Sequence, residues 1–269
     1  MQNETAKQCC AAFYGSDLAR TLLGDSFHPG GTRLTQRIGD LLGLTVDSHV
    51  LDVAAGRGTS AFSLASLFGC HLSGIDLSEQ NVSAAGAEAT ARQLADRVQF
   101  QLADAECLPF PDSSFDAIVC ECAFCTFPGK DVAAAEFARV LKPGGRVGIS
   151  DLTRSEAPLP ELDGLLAWIA CIGDALPLQN YASVLQNAGL SIVTTEVHND
   201  VLAEMVRDVQ SRLLGIEIAT GLGKLQIPGL DLSEAKRFAK IASDAIQQGK
   251  LGYAILIARK AAPTSATMV

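Results

Sequence analysis

At 269 residues the chain has room for one α/β domain with accessory segments, and 48% of its residues are hydrophobic. A net charge of −9 without a lysine or arginine cluster argues against nucleic acid, whose binding draws on cationic phosphate contacts, and no apolar run reaches the length that spans a bilayer. The opening Met1-Gln2-Asn3-Glu4-Thr5 has neither the basic nor the apolar region of a leader, so we expect a cytoplasmic protein with its eight cysteines reduced and no membrane partner.

Taken in chain order, residues 1–44 read as a helical cap segment that ends in the turn Ser26-Phe27-His28-Pro29-Gly30-Gly31 and its sequel. From 45 to 269, apolar runs alternate with helical periodicity, the pattern of a parallel sheet with helices on both faces. Strands are expected at His49 to Val53, His71 to Ile75, Val98 to Leu102, Phe115 to Cys120, Gly145 to Ser150, Ser191 to His198 and Tyr253 to Ala258. Helices are expected at Thr59 to Phe68, Glu79 to Leu94, Asp131 to Leu141 and Tyr181 to Ala188, with Lys142-Pro143-Gly144-Gly145 closing the third. Two insertions, 152–178 after the fifth strand and 199–250 between the last two, should roof the mouth of the sheet together with the N-terminal segment. The tail Ala261 to Thr267 reads as frayed. The fold class is therefore α/β, a doubly wound sheet of seven strands with helical roof segments.

The chemistry begins at Val50-Leu51-Asp52-Val53-Ala54-Ala55-Gly56-Arg57-Gly58-Thr59-Ser60, an apolar strand running through a turn of small residues into a helix. The next strand ends in an acid, Ile75-Asp76. Glycines let a ligand approach the backbone, the helix start offers free N–H groups, and the acid can grip a ribose, so the chain should bind an adenosine-containing molecule. Ala54 breaks the dinucleotide spacing, and Asp52 would repel a pyrophosphate while suiting an ammonium. Both features favour S-adenosyl-L-methionine, used as a co-substrate with no metal required.

With Gln101-Leu102-Ala103-Asp104-Ala105, Leu108-Pro109-Phe110, Ser114-Phe115-Asp116 and Leu141-Lys142-Pro143-Gly144-Gly145, this order resembles the class I S-adenosylmethionine-dependent methyltransferases across roughly residues 45 to 155. The resemblance implies that the last two strands form an antiparallel pair in a mostly parallel sheet. It implies that Asp52, Ala54, Gly56 and Gly58 surround the methionine end of the donor, Asp76 takes the ribose, and Leu77 lies beside the adenine. Asp104 and Ala105 fall at the adenine edge, and Glu121 or Cys122 follows the fourth strand.

The cysteines narrow the expectation further. Cys120-Glu121-Cys122-Ala123-Phe124-Cys125 ends the fourth strand, where this fold would present the acceptor, and Cys171 lies in the first roof insertion. Free cysteine most often packs as a small buried hydrophobe, and that reading stands for Cys120, Cys70 and Cys107. The alternative is capture of a soft acceptor by thiolates; C-x-C-x-x-C is not the paired framework of a structural zinc site. The run Gly148-Ile149-Ser150-Asp151-Leu152, Leu159-Pro160, Trp168 to Leu176 and Tyr181 to Gly189 resembles the arsenite methyltransferase branch. That resemblance implies Cys171 as an arsenic-binding thiol and Tyr14 beside the methionine end of the donor. The chain departs from the branch at Ser60 and Val209, where further thiols are expected, so Cys122 or Cys125 would substitute, or the acceptor has changed.

His28, held by Pro29 and two glycines, could take a proton from a thiol or hydroxyl, while His49, His71 and His198 read as strand-end residues. Two expectations follow: methylation of a small soft acceptor, arsenite foremost, held by Cys171 with Cys122 and Cys125; or methylation of a small thiol or other metabolite with inert cysteines and His28 as base. A donor-binding module without turnover is the third. The partner is a small-molecule acceptor, and the protein is expected to be a monomer or homodimer.

Overall fold

The pattern of apolar runs resolves into one sheet because central parallel strands bury both faces. In the computed structural model, which describes residues 27–155, 171–222 and 231–262 together with Tyr14, Ala19, Thr21, Leu22, Gly24 and Leu162, seven strands lie in the order β3-β2-β1-β4-β5-β7-β6. They are β1 (His49–Val53), β2 (His71–Asp76), β3 (Val98–Leu102), β4 (Phe115–Glu121), β5 (Leu141–Arg154), β6 (Leu190–Val197) and β7 (Leu251–Lys260). β1 to β5 run parallel, and β7 pairs antiparallel with both β5 and β6. The expected antiparallel end of the sheet is thus present.

The described helices are α1 (Gly31–Leu42), α2 (Thr59–Phe68), α3 (Glu79–Ala91), α4 (Lys130–Val140), α5 (Leu178–Asn187), α6 (Asn199–Gly221) and α7 (Leu232–Gln247). Val50, Leu51, Ile118, Val119, Ile149 and Ile255 are fully buried at the centre, where they meet Ile38 of α1, Leu64 of α2 and Phe137 of α4. No described helix is long and apolar enough to cross a membrane.

Strand order reverses between β1 and β4, and the carboxyl ends of these two neighbours open a crevice of the kind in which such sheets bind ligands. β5 starts four residues before the expected Gly145, because Leu141 already pairs with Phe115 before a bulge absorbs the Pro143-Gly144 step. The insertion after Asn199 forms two helices as expected, and Arg212 of α6 donates to the Leu22 carbonyl at 3.0 Å. Cys9, Cys10, Phe13, Pro160, Trp168 and the tail from 263 lie outside the described residues.

Candidate active site

The crevice holds a cavity of about 560 Å³. Its floor is the β1-α2 turn. Ala54, Gly56 and Gly58 take φ of +57°, +55° and +83°, the left-handed region in which only glycine is free of strain. A Cβ on Gly56 would point into open space, so this glycine leaves a cradle beside the backbone. A Cβ on Gly58 would instead strike the Phe100 ring at 2.5 Å, and Gly58 does not line the cavity. Besides its expected place beside the donor, Gly58 thus serves packing and turn geometry.

Asp76, at the tip of β2, organises the turn. One oxygen accepts from the Gly56 N–H at 2.8 Å, and the other accepts from Ser78 N–H at 2.8 Å and Asn81 Nδ2 at 3.3 Å. Burial raises its pKa, and these three donors pull it back down. Asp52, at the tip of β1, is 2% exposed, and the Ala61 N–H in the first turn of α2 donates to it. Its Oδ2 has no hydrogen-bond partner among the described residues. Burial, then the charges of Glu121 and Asp76, hold this carboxyl well above the usual range. A buried acceptor left unpaired beside a cavity is a place for a cationic ligand group, since orphaned polar atoms are costly unless something satisfies them.

The second half of the site is assembled from four elements. Glu121 ends β4; its Oε2 accepts from Ser60 Oγ at 2.6 Å and from Thr35 Oγ1 at 3.0 Å. Its Oε1 lies 3.7 Å from His28 Nδ1 and 3.4 Å from Ser150 Oγ, which in turn accepts from the Tyr253 hydroxyl. His28 is 8% exposed and lines the cavity. Its Nε2 sits 3.4 Å from Ser60 Oγ and 3.5 Å from Thr35 Oγ1, but both hydroxyls have the shorter carboxylate contact, so Nε2 keeps an uncommitted lone pair when Nδ1 carries the proton.

The thiols form a third group behind this wall. Cys171 Sγ lies 3.2 Å from the Tyr14 hydroxyl and 3.4 Å from the Cys122 carbonyl oxygen. Cys122 and Cys125 both hydrogen-bond to the Cys171 sulfur, which holds its thiol well below the usual range although burial opposes this. The two donors are pushed the other way, Cys122 first by that hydrogen bond and Cys125 first by burial. Cys122 and Cys171 have φ of +52° and +61°, backbone strain of about 1–3 kcal/mol each that the packing sustains. Asp151, fully buried, accepts the Cys125 N–H at 2.8 Å; burial and then the Cys171 charge raise its pKa to about 7.

Of the residues singled out from sequence, Tyr14, His28, Asp52, Ala54, Gly56, Asp76, Leu77, Asp104, Ala105, Glu121 and Cys122 line this one cavity. Cys125 and Cys171 do not; they are 1% and 2% exposed, behind Cys122. Glu121 belongs with His28 as much as with the nucleotide cleft. Among the described residues of the 199–250 insertion none lines the cavity, and the described wall includes Tyr14, Gly24, Phe27 and His28. α6 acts one step back, with the Arg212 guanidinium against Gly24. Sequence reading missed Asn81, a buried cavity residue whose Oδ1 has no hydrogen-bond partner among the described residues, and Thr35. Asn81 follows the Ser78 cap of α3 by three residues, a spacing that announces a helix start but no ligand.

Residues 50–145 match a methyltransferase domain family. The chain is 28% identical to the O-methyltransferase cnsE of Penicillium expansum over 260 residues, 91% of this chain and 89% of that one. It is also 28% identical to the 27-O-demethylrifamycin SV methyltransferase of Amycolatopsis mediterranei, over 91% of this chain and 93% of that one. A phosphoethanolamine N-methyltransferase 2 from Haemonchus contortus, solved with phosphomonomethylethanolamine and S-adenosylhomocysteine, superposes with a TM-score of 0.75 at 22% identity, covering 90% of this chain and 56% of that one. A seven-stranded sheet of this order, a cleft at its reversal point and relatives of matching length agree on one assignment: the chain is a class I S-adenosylmethionine-dependent methyltransferase.

Proposed function

We propose that the chain methylates a hydroxyl group of a small metabolite, with His28 as general base and Glu121 as its orienting carboxylate. The donor brings its own leaving group, a sulfonium methyl, when bound. Asp52 Oδ2 and the Gly56 cradle would hold its methionine end, Asp76 and Asn81 its ribose, and Leu77, Asp104 and Ala105 its adenine. What remains for the protein is to aim a nucleophile, exclude water and remove a proton. Alignment of this sort contributes roughly 7–11 kcal/mol in well-oriented systems. A hydroxyl also needs a base, and the uncommitted His28 Nε2 on the cavity wall is the observation that carries this reading. The proton passes to Nε2, and Glu121, 3.7 Å from Nδ1, offsets the imidazolium charge. Names of relatives that methylate oxygen support the same acceptor class. No metal enters this scheme, and residues 1–44 act as a cap that supplies the base.

A second reading keeps arsenite as acceptor. It is favoured by the gathering of Cys122, Cys125 and Cys171 around one sulfur with a lowered pKa. Against it, only Cys122 reaches the cavity. Incubation with methyl-labelled donor and separate panels of hydroxylated metabolites, small thiols and arsenite tests both readings. We expect label on oxygen, reduced about 10²–10⁴-fold by His28→Ala. Label on arsenic that disappears in Cys171→Ser would replace the first reading by the second.

A further inference from the structure

The methyl transfer just described makes no use of the thiol group, yet the chain maintains it at the expense of two strained residues. Cys122 and Cys171, 49 residues apart, are joined by the hydrogen bond between their side chains and by the 3.4 Å contact of the Cys171 sulfur with the Cys122 carbonyl. Cys122 is half-buried and faces the cavity; Cys171 is buried and does not line it, and the Tyr14 hydroxyl lies 3.2 Å from its sulfur. Cys125 and Asp151 complete the surround and leave no described cation against the sulfurs. One sulfur is thus open to small solutes and the other waits within contact of it. That arrangement differs from the isolated thiol of Cys70, which is buried and bonded only to the Leu64 carbonyl.

We propose that Cys122 and Cys171 are a peroxide-sensitive pair that closes to a disulfide and ties the cavity wall at the end of β4 to the turn before α5. The reaction balances within the pair and one molecule of hydrogen peroxide. Cys122 is the sulfur that peroxide can reach from the cavity, and it passes its proton to the Cys171 sulfur as it attacks. The Cys122 sulfur takes the terminal oxygen of peroxide, the O–O bond breaks, and hydroxide leaves, giving Cys122–S–OH. The Cys171 sulfur then attacks the Cys122 sulfur, the S–O bond breaks, and the departing hydroxide takes the Cys171 proton as water. Both thiols are oxidised and both peroxide oxygens are reduced.

Closure removes the sulfur that Tyr14 now contacts, and Tyr14 lines the donor cavity. Oxidation should therefore weaken donor binding reversibly. The test treats the full chain with hydrogen peroxide, blocks remaining thiols by alkylation, and maps peptides by tandem mass spectrometry, with S-adenosylhomocysteine affinity measured before and after dithiothreitol. We expect a Cys122–Cys171 cross-link that dithiothreitol removes, Cys70 still alkylated, and affinity that falls at least threefold on oxidation and returns on reduction. In Cys171→Ser the cross-link should vanish and the oxidised-to-reduced affinity ratio should return to about one. A Cys122 driven to sulfinic acid without cross-linking, unmodified thiols at Cys122 and Cys171, or a bridge through Cys125 in place of Cys122 would each overturn the assignment. None of these outcomes depends on the acceptor, so failure here leaves the role of His28 untouched.

Discussion

Asp52→Asn should separate stability from donor binding, moving the two in opposite directions. The carboxyl is 2% exposed, its Oδ2 has no partner among the described residues, and burial together with Glu121 and Asp76 disfavours its charge. Asparagine has the same shape and can still accept the Ala61 N–H through its carbonyl oxygen. It replaces the orphaned oxygen with an amide nitrogen, which ends the repulsion with Glu121 and Asp76. Leaving a buried group unsatisfied costs about 1–3 kcal/mol, and each kcal/mol moves the Tm of a chain this long by roughly 2–4 °C. The ligand-free variant should therefore melt several degrees higher than wild type. Donor binding should fall, because an amide N–H meets the ammonium where a carboxylate did. Loss of a hydrogen bond to a charged group, about 1.5–3 kcal/mol, corresponds to a Kd roughly 10- to 100-fold weaker. Calorimetric titration with S-adenosylhomocysteine and thermal melts with and without it read both quantities. Unchanged affinity with a lower ligand-free Tm would refute the reasoning, since Asp52 would then be a structural residue.

The other consequences concern separate parts of the site. Glu121→Gln should reduce methyl transfer about tenfold or more while S-adenosylhomocysteine binding stays within a few-fold, because it leaves the imidazolium of His28 without its counter-charge; equal loss of both would make Glu121 a donor ligand only. Asp151 has a folded pKa of about 7, raised above the unfolded value chiefly by burial, so the native state holds the extra proton and stability falls as pH rises from about 4 to 7, then levels off. Asp151→Asn should lose that slope in denaturant titrations across this range, and a slope equal to that of wild type would contradict the assignment. Gly58→Ala places a Cβ 2.5 Å from the Phe100 ring at a φ of +83° and should destabilise the fold by roughly 1–3 kcal/mol, seen as a lower denaturation midpoint. Simultaneous serine replacement of Cys122, Cys125 and Cys171 should leave oxygen methylation within about tenfold of wild type, which a labelled-donor assay measures directly.

Much of the scaffold was legible because its signals are local. β1, β3 and α2 begin and end where their apolar periods and flanking turns place them, at His49–Val53, Val98–Leu102 and Thr59–Phe68. The gathering of Asp52, Gly56 and Asp76 at one cavity was legible for the same reason: they are fixed by strand tips and a turn, and the register Asp52↔Gly74 and Val53↔Ile75 sets them side by side. What was hidden depends on distant packing. Glu121 reads as one acid after a strand; only the fold brings Ser60, Thr35 and His28 to it from up to 93 residues away. Gly58 reads as a glycine at the methionine end of the donor, and only the placement of Phe100 reveals that its missing side chain also makes room for a ring. The thiols were individually visible, but the distinction between Cys122 at the cavity and Cys171 behind it belongs to the turn at 171–175.

The central claim, base-assisted methylation of oxygen, is tested most directly by comparing His28→Ala and Cys171→Ser against wild type in one labelled-donor assay with the hydroxylated acceptor that wild type prefers. We predict that His28→Ala loses about 10²–10⁴-fold in turnover, while Cys171→Ser stays near wild type. Full activity in His28→Ala together with a dead Cys171→Ser would contradict the account and return the thiols to the centre of the chemistry.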